Sequence, residues 1–300
     1  MNRETSMRIS AKIGAAIAGG ASAIRYTAND LRRAERAYGA DALAEMREIG
    51  LLGDDFELFY VVREFWESLT LGDEADGAYL LELFRNAKKF DAPSFMSNPY
   101  LAAVRANDAR MDNILLTTAS YGRGEIFQYD MPDFSAEIVV PKLGFFTETV
   151  HFPALYEDAT PWMSVCPSEI YSMREPIRAA HGKVLVLGLG LGYYPFCVSL
   201  MPEVTCITIV ECRREIIDLF RSFLLPQFPH RDKIRIVKDD ALHYLSTVRD
   251  GDFDFCFADI WEGVIDGADA YRKINPYEAR LPSTEFAYWI EAQIRAYLDI

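Results

Sequence analysis

Three regularly spaced glycines stand at the end of an apolar run in residues 183–196, KVLVLGLGLGYYPF. Gly188, Gly190 and Gly192 follow four aliphatic residues, a pattern typical of a buried strand that runs into a turn. Glycine at such a turn lets the backbone bend sharply and lets a ligand touch the main chain. Tight packing of the strand against the next helix is the alternative reason for the same pattern.

Acidic residues stand at the ends of the next three predicted strands. Glu211 closes VTCITIVE, where a carboxylate can accept both hydroxyls of a ribose or remain a solvated charge. Asp240, before Ala241 in KDDALHYL, can accept a hydrogen bond from an adenine amine or cap the following helix, and Asp239 could take its place. Asp259 closes FDFCFAD at the same edge. Together with the glycines, these residues predict a pocket for an adenosine.

The spacing of the glycines argues against a dinucleotide. A GxGxxG fingerprint needs a third glycine where the helix start approaches a pyrophosphate, and that position here is Tyr193. The motif is GxGxG instead, and no basic residue lies beside it. We therefore expect an adenosine compound without a diphosphate.

Alternating strands and helices must position these residues. From Lys183 onward, near-continuous apolar strands alternate with amphipathic helices, which predicts a parallel sheet covered on both faces. The predicted fold class is α/β, with a Rossmann-like doubly wound and mostly parallel sheet. We expect a helical N-terminal domain at 1–124, a β-ribbon connection at 125–166 and the Rossmann-like domain at 167–300.

Residues 165–262 resemble the class I S-adenosylmethionine-dependent methyltransferases. VLVLGLGLG is similar to their glycine motif, IVE to their ribose-binding acid, DDA to their adenine-contacting motif and FDFCFAD to their fourth strand. The resemblance implies S-adenosyl-L-methionine as cofactor, with the three glycines near its methionine part and Glu211 at the ribose. It places Asp240, with Ala241, at the adenine.

Within that superfamily the chain is most similar to the spermidine synthases. Leu187 precedes the first glycine, as in the apolar strands of those enzymes, and Asp259 matches the aspartate that deprotonates or orients their attacking amine. Glu262 falls near their second acid. Their GGGDG is GLGLG here, so Leu191 replaces its acid, and WMSVCPSEIYSM stands where they carry a tyrosine-histidine-glutamate stretch.

The expected activity is methyl transfer to a small-molecule acceptor, with Asp259 as the catalytic base or orienting group. Tyr193, Trp261 and Glu262 are the predicted substrate-pocket residues, and the two rings could face a sulfonium or an amine. Trp261 could instead be a buried hinge residue. Aminopropyl transfer and non-catalytic cofactor binding are the two alternatives.

Composition narrows the class of partner. A net charge of −14 argues against nucleic acid and against an anionic membrane surface. The five cysteines lack a CxxC and predict reduced thiols in a cytoplasmic protein, while the four scattered histidines give no metal signature. The start, residues 1–26, has some features of a signal peptide, but its Gly/Ala-rich run favours an arm or a first helix.

The end of the chain raises a question about the sheet edge. Residues after Asp259 show no convincing strand, and the stretch 274–300 ends in a predicted amphipathic helix with Phe286, Ile290, Ile294 and Tyr297 on one face. We expect the ribbon at 125–165 to complete the sheet, and also a homodimer, because a bare edge invites pairing with another chain.

Overall fold

The computed structural model describes residues 1–69, 71 and 76–299. The chain forms two compact units, each built from two stretches of sequence. The first unit contains 1–96 and 120–151, and the second contains 97–119 and 152–300.

The regular elements are numbered along the chain. The helices are α1 Arg3–Ala18, α2 Ala28–Glu48, α3 Phe56–Ser68, α4 Gly77–Arg85, α5 Ala92–Met96, α6 Pro99–Ala103, α7 Pro167–Ser172, α8 Arg174–Ala179, α9 Tyr193–Ser199, α10 Arg214–Leu219, α11 Ala241–Thr247, α12 Val264–Ile274, α13 Pro276–Arg280 and α14 Glu291–Leu298. The strands are β1 Lys88–Phe90, β2 Ala109–Met111, β3 Ile114–Tyr121, β4 Phe127–Asp130, β5 Lys142–Phe146, β6 Val150–Glu157, β7 Thr160–Ser164, β8 Gly182–Leu187, β9 Val204–Glu211, β10 Ile234–Lys238, β11 Phe255–Ala258 and β12 Glu285–Tyr288.

The first unit combines helices with a three-stranded sheet of order β1-β5-β4. Helix α1 is part of its core, since Ile9 and Ile13 are fully buried and Ser10 Oγ donates to the carbonyl of Val139 at 2.8 Å. Helix α3 contributes buried Phe59 and Phe65, as its apolar sequence predicts. The segment predicted to be helical through residue 124 therefore also contains strands.

The second unit is built on a five-stranded sheet in which every pairing is parallel. Its order is β10-β9-β8-β11-β12. The chain moves outward from β8 to β9 and β10, then returns to the other side of β8 with β11. The strand order therefore reverses between β8 and β11, where doubly wound sheets bind ligands. The Rossmann-like prediction is confirmed for this sheet, whereas other sheets of the chain are mixed or antiparallel.

The edge of the parallel sheet differs from the prediction. Strand β12 pairs with β11, with Phe255 opposite Glu285 and Ala258 opposite Tyr288, so the expectation that the ribbon completes the sheet is wrong. Phe286 lies in this strand, and only residues from Glu291 onward form the last helix. Strands β6 and β7 from the ribbon belong to a separate four-stranded sheet of order β2-β3-β6-β7.

Two helices lead from β7 to β8. The sequence predicts one helix interrupted at Pro176, but the break between α7 and α8 falls at Met173, and Pro176 lies in the first turn of α8. Proline is tolerated there because the first amides of a helix have no intrahelical partner. No helix among the described residues is both long and apolar enough to cross a membrane.

Gly188 lies close to the backbone of Asp259 at the carboxyl edge of the sheet. Its φ of 99° is unfavourable for other residues, and a Cβ there would collide with the carbonyl oxygen of Asp259. The missing side chain lets the two strand ends lie side by side.

Replacing Gly188 with alanine should therefore destabilise the second unit strongly. Gly251→Ala is the matched control, because Gly251 has a φ of 84° but open space around its Cβ position. We expect about 1–2 kcal/mol for the control from backbone strain, and about 1–3 kcal/mol more for Gly188→Ala from the collision. Urea unfolding followed by circular dichroism measures both, and equal losses would contradict the close approach.

Candidate functional site

A cavity of about 700 Å³ opens at the carboxyl edge of the parallel sheet, within the second unit. All ten residues singled out from the sequence line it: Gly188, Gly190, Gly192, Tyr193, Glu211, Asp240, Ala241, Asp259, Trp261 and Glu262. The structure thus brings together residues from four strand ends, as the predicted topology requires.

The glycine loop shows the packing use considered for it, and it also lines the cavity. All three glycines have a positive φ, and the Cβ position of Gly192 is occupied by the ring of Phe220, which is a packing constraint. The Cβ position of Gly190 meets the thioether of Met163, a flexible side chain that itself lines the cavity. Gly190 therefore exposes its backbone to whatever the cavity contains.

Glu211 fixes the glycine loop against the end of β9. Its Oε2 accepts a hydrogen bond from the backbone amide of Leu189 at 3.1 Å, and its Oε1 accepts one from the amide of Arg213 at 2.8 Å. The residue is 8% exposed. Because a carboxylate oxygen can accept two hydrogen bonds, each oxygen keeps capacity for one ligand hydroxyl.

Asp240 caps α11 and lines the cavity at the same time. Its Oδ1 accepts from the amide of His243 at 2.9 Å, so the capping alternative is observed and does not remove the residue from the cavity wall. Its neighbour Asp239 accepts from the Asp240 amide at 2.8 Å and contacts His243 Nδ1 at 2.8 Å. Ala241 is buried next to them.

Trp261 is more enclosed than a ring standing free in a pocket. It is 8% exposed, and its ring stacks on Tyr288 with centroids 6.5 Å apart. The indole also lies so close to Gly267 of α12 that a Cβ at that glycine would collide with it. Its Nε1 has no hydrogen-bond partner among the described residues. Trp261 is therefore a buried residue that packs inside the fold and also lines the cavity. Glu262, in contrast, is exposed, and its amide donates to Asp266 Oδ2 at 2.7 Å.

Tyr193 and Tyr100 pack beside the glycine loop and hold it in place. Tyr193 is 6% exposed, and its hydroxyl accepts from the side chain of Asn98 at 3.1 Å. Tyr100 is fully buried, packs edge-on against Tyr193 and donates its hydroxyl to the carbonyl oxygen of Leu191 at 2.6 Å. The sequence analysis did not single out Tyr100, because it lies far from the glycine motif along the chain.

The residue with the greatest chemical consequence that the sequence analysis missed is Glu169. It lies in α7 and lines the cavity together with Asp259. Burial raises the pKa of both carboxyls, and the negative charge of Asp259 raises the pKa of Glu169 further. Both groups therefore keep a proton at a pH at which an ordinary carboxyl has lost it. The only signal in the sequence was an acid in the apolar stretch WMSVCPSEIYSM.

Strand β7 forms a further wall that sequence reasoning missed. Trp162 and Met163 line the cavity, and the guanidinium of Arg213 lies over the Trp162 ring at 5.3 Å. Arg213 is held by Glu157 at 2.9 Å and Glu215 at 2.7 Å, and these carboxylates raise its pKa further.

The cavity is strongly anionic. Arg213 is the one lysine, arginine or histidine among its described lining residues, and it already has two carboxylate partners. The described lining carboxyls are Glu169, Glu211, Asp239, Asp240, Asp259, Glu262 and Asp266. No group of three or more histidine, cysteine or acidic residues in the described parts of the chain is placed to hold a metal ion. Such a lining favours an organic cation over an anion.

Comparisons with known proteins give a limited result. No protein-family model matches the chain, and no curated protein matches it. One similar solved structure is a spermidine synthase from Thermotoga maritima, at 14% identity and a TM-score of 0.35, covering 49% of this chain and 57% of that one. Another is a spermidine synthase in complex with the transition state analogue AdoDATO, at 17% identity and a TM-score of 0.32, covering 38% and 43%. Similarity this low carries no argument about what the chain does.

Removal of one hydroxyl should test how the glycine loop is supported. Tyr100→Phe leaves the buried carbonyl of Leu191 without its donor, so we expect a loss of about 1–3 kcal/mol in the free energy of unfolding. Tyr244→Phe in α11, where the ring is only partly buried, should change it by less than about 0.5 kcal/mol. Equal effects in urea unfolding would show that the hydroxyl does not support the loop.

Proposed function

We propose that the chain is a transferase that moves an alkyl group from an adenosyl sulfonium to a small amine. The observation that carries this proposal is the anionic cavity at the point of strand reversal, with bare glycine backbone on one side and carboxylates on the others. A sulfonium and an ammonium are both cations, so the same lining suits donor and acceptor.

The residues present fit an adenosyl donor. Glu211 keeps one acceptor site on each oxygen for the ribose hydroxyls, and Asp240 lies on the neighbouring strand end for the adenine. The loop containing Gly190 leaves its main chain accessible to the remaining part of the donor. When bound, the sulfonium supplies a carbon activated for direct displacement, so the task of the protein is mainly to align the nucleophile.

The charge of the cavity favours a decarboxylated donor and therefore aminopropyl transfer. A methionine carboxylate would enter a site with seven acidic side chains, and its one described cation, Arg213, is already paired with Glu157 and Glu215. A donor that carries only an ammonium at that end avoids this repulsion.

Methyl transfer from S-adenosyl-L-methionine is the second candidate. Leu191, which is buried and apolar, stands where the resembled polyamine enzymes carry an acid in the glycine motif. Non-catalytic cofactor binding predicts an apolar or blocked acceptor side, whereas Glu169, Asp259 and Glu262 give this side acidic groups.

Product analysis tests the proposal and separates the candidates. The protein is incubated with S-adenosylmethionine or its decarboxylated form and a panel of diamines, and the nucleoside products are identified by mass spectrometry. We expect methylthioadenosine from the decarboxylated donor, with a fall of about 100-fold or more in Asp259→Asn, because a base is lost. Asp269→Asn, an exposed acid of α12, is the control and should behave as the wild type.

Two other outcomes of this product analysis would each favour another candidate. S-adenosylhomocysteine as the product would favour methyl transfer. Neither product with any acceptor, despite tight donor binding, would contradict transfer and favour the non-catalytic alternative.

A further inference from the structure

Glu169 lies on the cavity wall, but it has no role in holding the proposed donor. Hydrogen bonds hold α7, which contains Glu169, and the following helix α8 in place. The indole of Trp289 donates to Ser172 Oγ at 2.8 Å, while the Trp289 amide donates to the carbonyl of Ala258 at 3.0 Å. The hydroxyl of Tyr194 donates to the carbonyl of Pro176 at 3.2 Å. Trp289 thus ties α7 directly to the residue that precedes Asp259.

We propose that Glu169 acts with Asp259 to hold the ammonium group of the acceptor and to remove one of its protons. This inference rests on the proposed function, since it concerns the acceptor side of the same cavity. It adds a second catalytic carboxyl to Asp259 and defines the acceptor as an amine that arrives protonated.

The proton step balances within the cavity. An ammonium cannot attack carbon, because its nitrogen has no free electron pair. When one N–H bond breaks, its proton forms an O–H bond on a carboxylate of the pair, and the electron pair remains on nitrogen as the nucleophile. An ordinary carboxylate is a weak base for this purpose, and burial beside another acid makes the pair more basic.

The sign of the pH dependence follows from the direction of the shifts. Both folded-state pKa values lie above the ordinary carboxyl range, so the pair is neutral at low pH and can neither hold an ammonium nor take its proton. Activity should therefore fall with decreasing pH while ordinary carboxyls are still ionised. The other ionisable groups that line the cavity are Cys166 just before α7, Tyr193 and Tyr194 in α9, Glu211 at the end of β9, Cys212 and Arg213 after it, Asp239 and Asp240 before α11, Glu262 after β11 and Asp266 in α12.

Infrared difference spectroscopy tests the pair without an activity measurement. The band of protonated carboxyls is followed against pH in the wild type, Glu169→Gln, Asp259→Asn and the control Glu175→Gln, which changes an exposed acid of α8, with circular dichroism to check each fold. We expect the wild type and the control to keep protonated carboxyl into the neutral range. Glu169→Gln should lose the part that persists to the highest pH. Asp259→Asn should lower the pKa of Glu169, because the neighbouring charge is gone.

A second arm of the same experiment adds 1,4-diaminobutane at neutral pH. A bound ammonium favours the ionised pair, so the protonated-carboxyl band should shrink in the wild type but not in Glu169→Gln. A titration of Glu169→Gln or Asp259→Asn identical to the wild type, or a wild-type band that the diamine leaves unchanged, would overturn the proposal. Failure of the proposed function is seen separately, as absence of donor binding in calorimetry.

Discussion

The candidate site depends on the two hydrogen bonds that the carboxylate of Glu211 accepts. It joins the amide of Leu189 in the glycine loop to the amide of Arg213 at the start of α10, so the ends of β8 and β9 are held by one side chain. The residue also lines the cavity, and a carboxylate oxygen that accepts one hydrogen bond can accept a second. Glu211 therefore supports the glycine loop and is also part of the cavity wall.

Several carboxyls line the cavity, and its one described cation, Arg213, is already paired with Glu157 and Glu215. This arrangement favours cationic ligands over anions. Repulsion among these acids is relieved partly by hydrogen bonds, as at Glu211 and Asp240, and partly by protonation, as at Glu169 and Asp259. Carboxyls held by backbone amides suit the recognition of a sugar and a base. The pKa values of Glu169 and Asp259 are raised, so this side of the cavity differs electrostatically from the side whose carboxyls are held by backbone amides.

The sequence predicted the centre of the parallel sheet and the residues at its carboxyl edge, because apolar strands, glycines and strand-end acids are local patterns. It did not predict β12. This strand has only four residues, which pair with the distant Phe255–Ala258, and so short a segment shows no periodicity of its own beside an amphipathic helix. Glu169 was missed for a related reason: it lies far from Asp259 along the chain, and only the tertiary structure places both residues on the wall of one cavity. Local patterns thus identified the cavity residues at the strand ends, whereas Glu169 joins the cavity only through the tertiary fold.

Calorimetric titration with decarboxylated S-adenosylmethionine tests the central claim most directly, by comparing the wild type with Glu211→Gln and Glu215→Gln. Glu215 bonds the side chain of the same Arg213 but does not line the cavity, so it is a matched control. The account predicts that Glu211→Gln weakens binding by about tenfold or more, because charge-assisted hydrogen bonds to the ribose are lost, while Glu215→Gln binds within about twofold of the wild type. Equal affinity of all three proteins, or no binding by any of them, would contradict it.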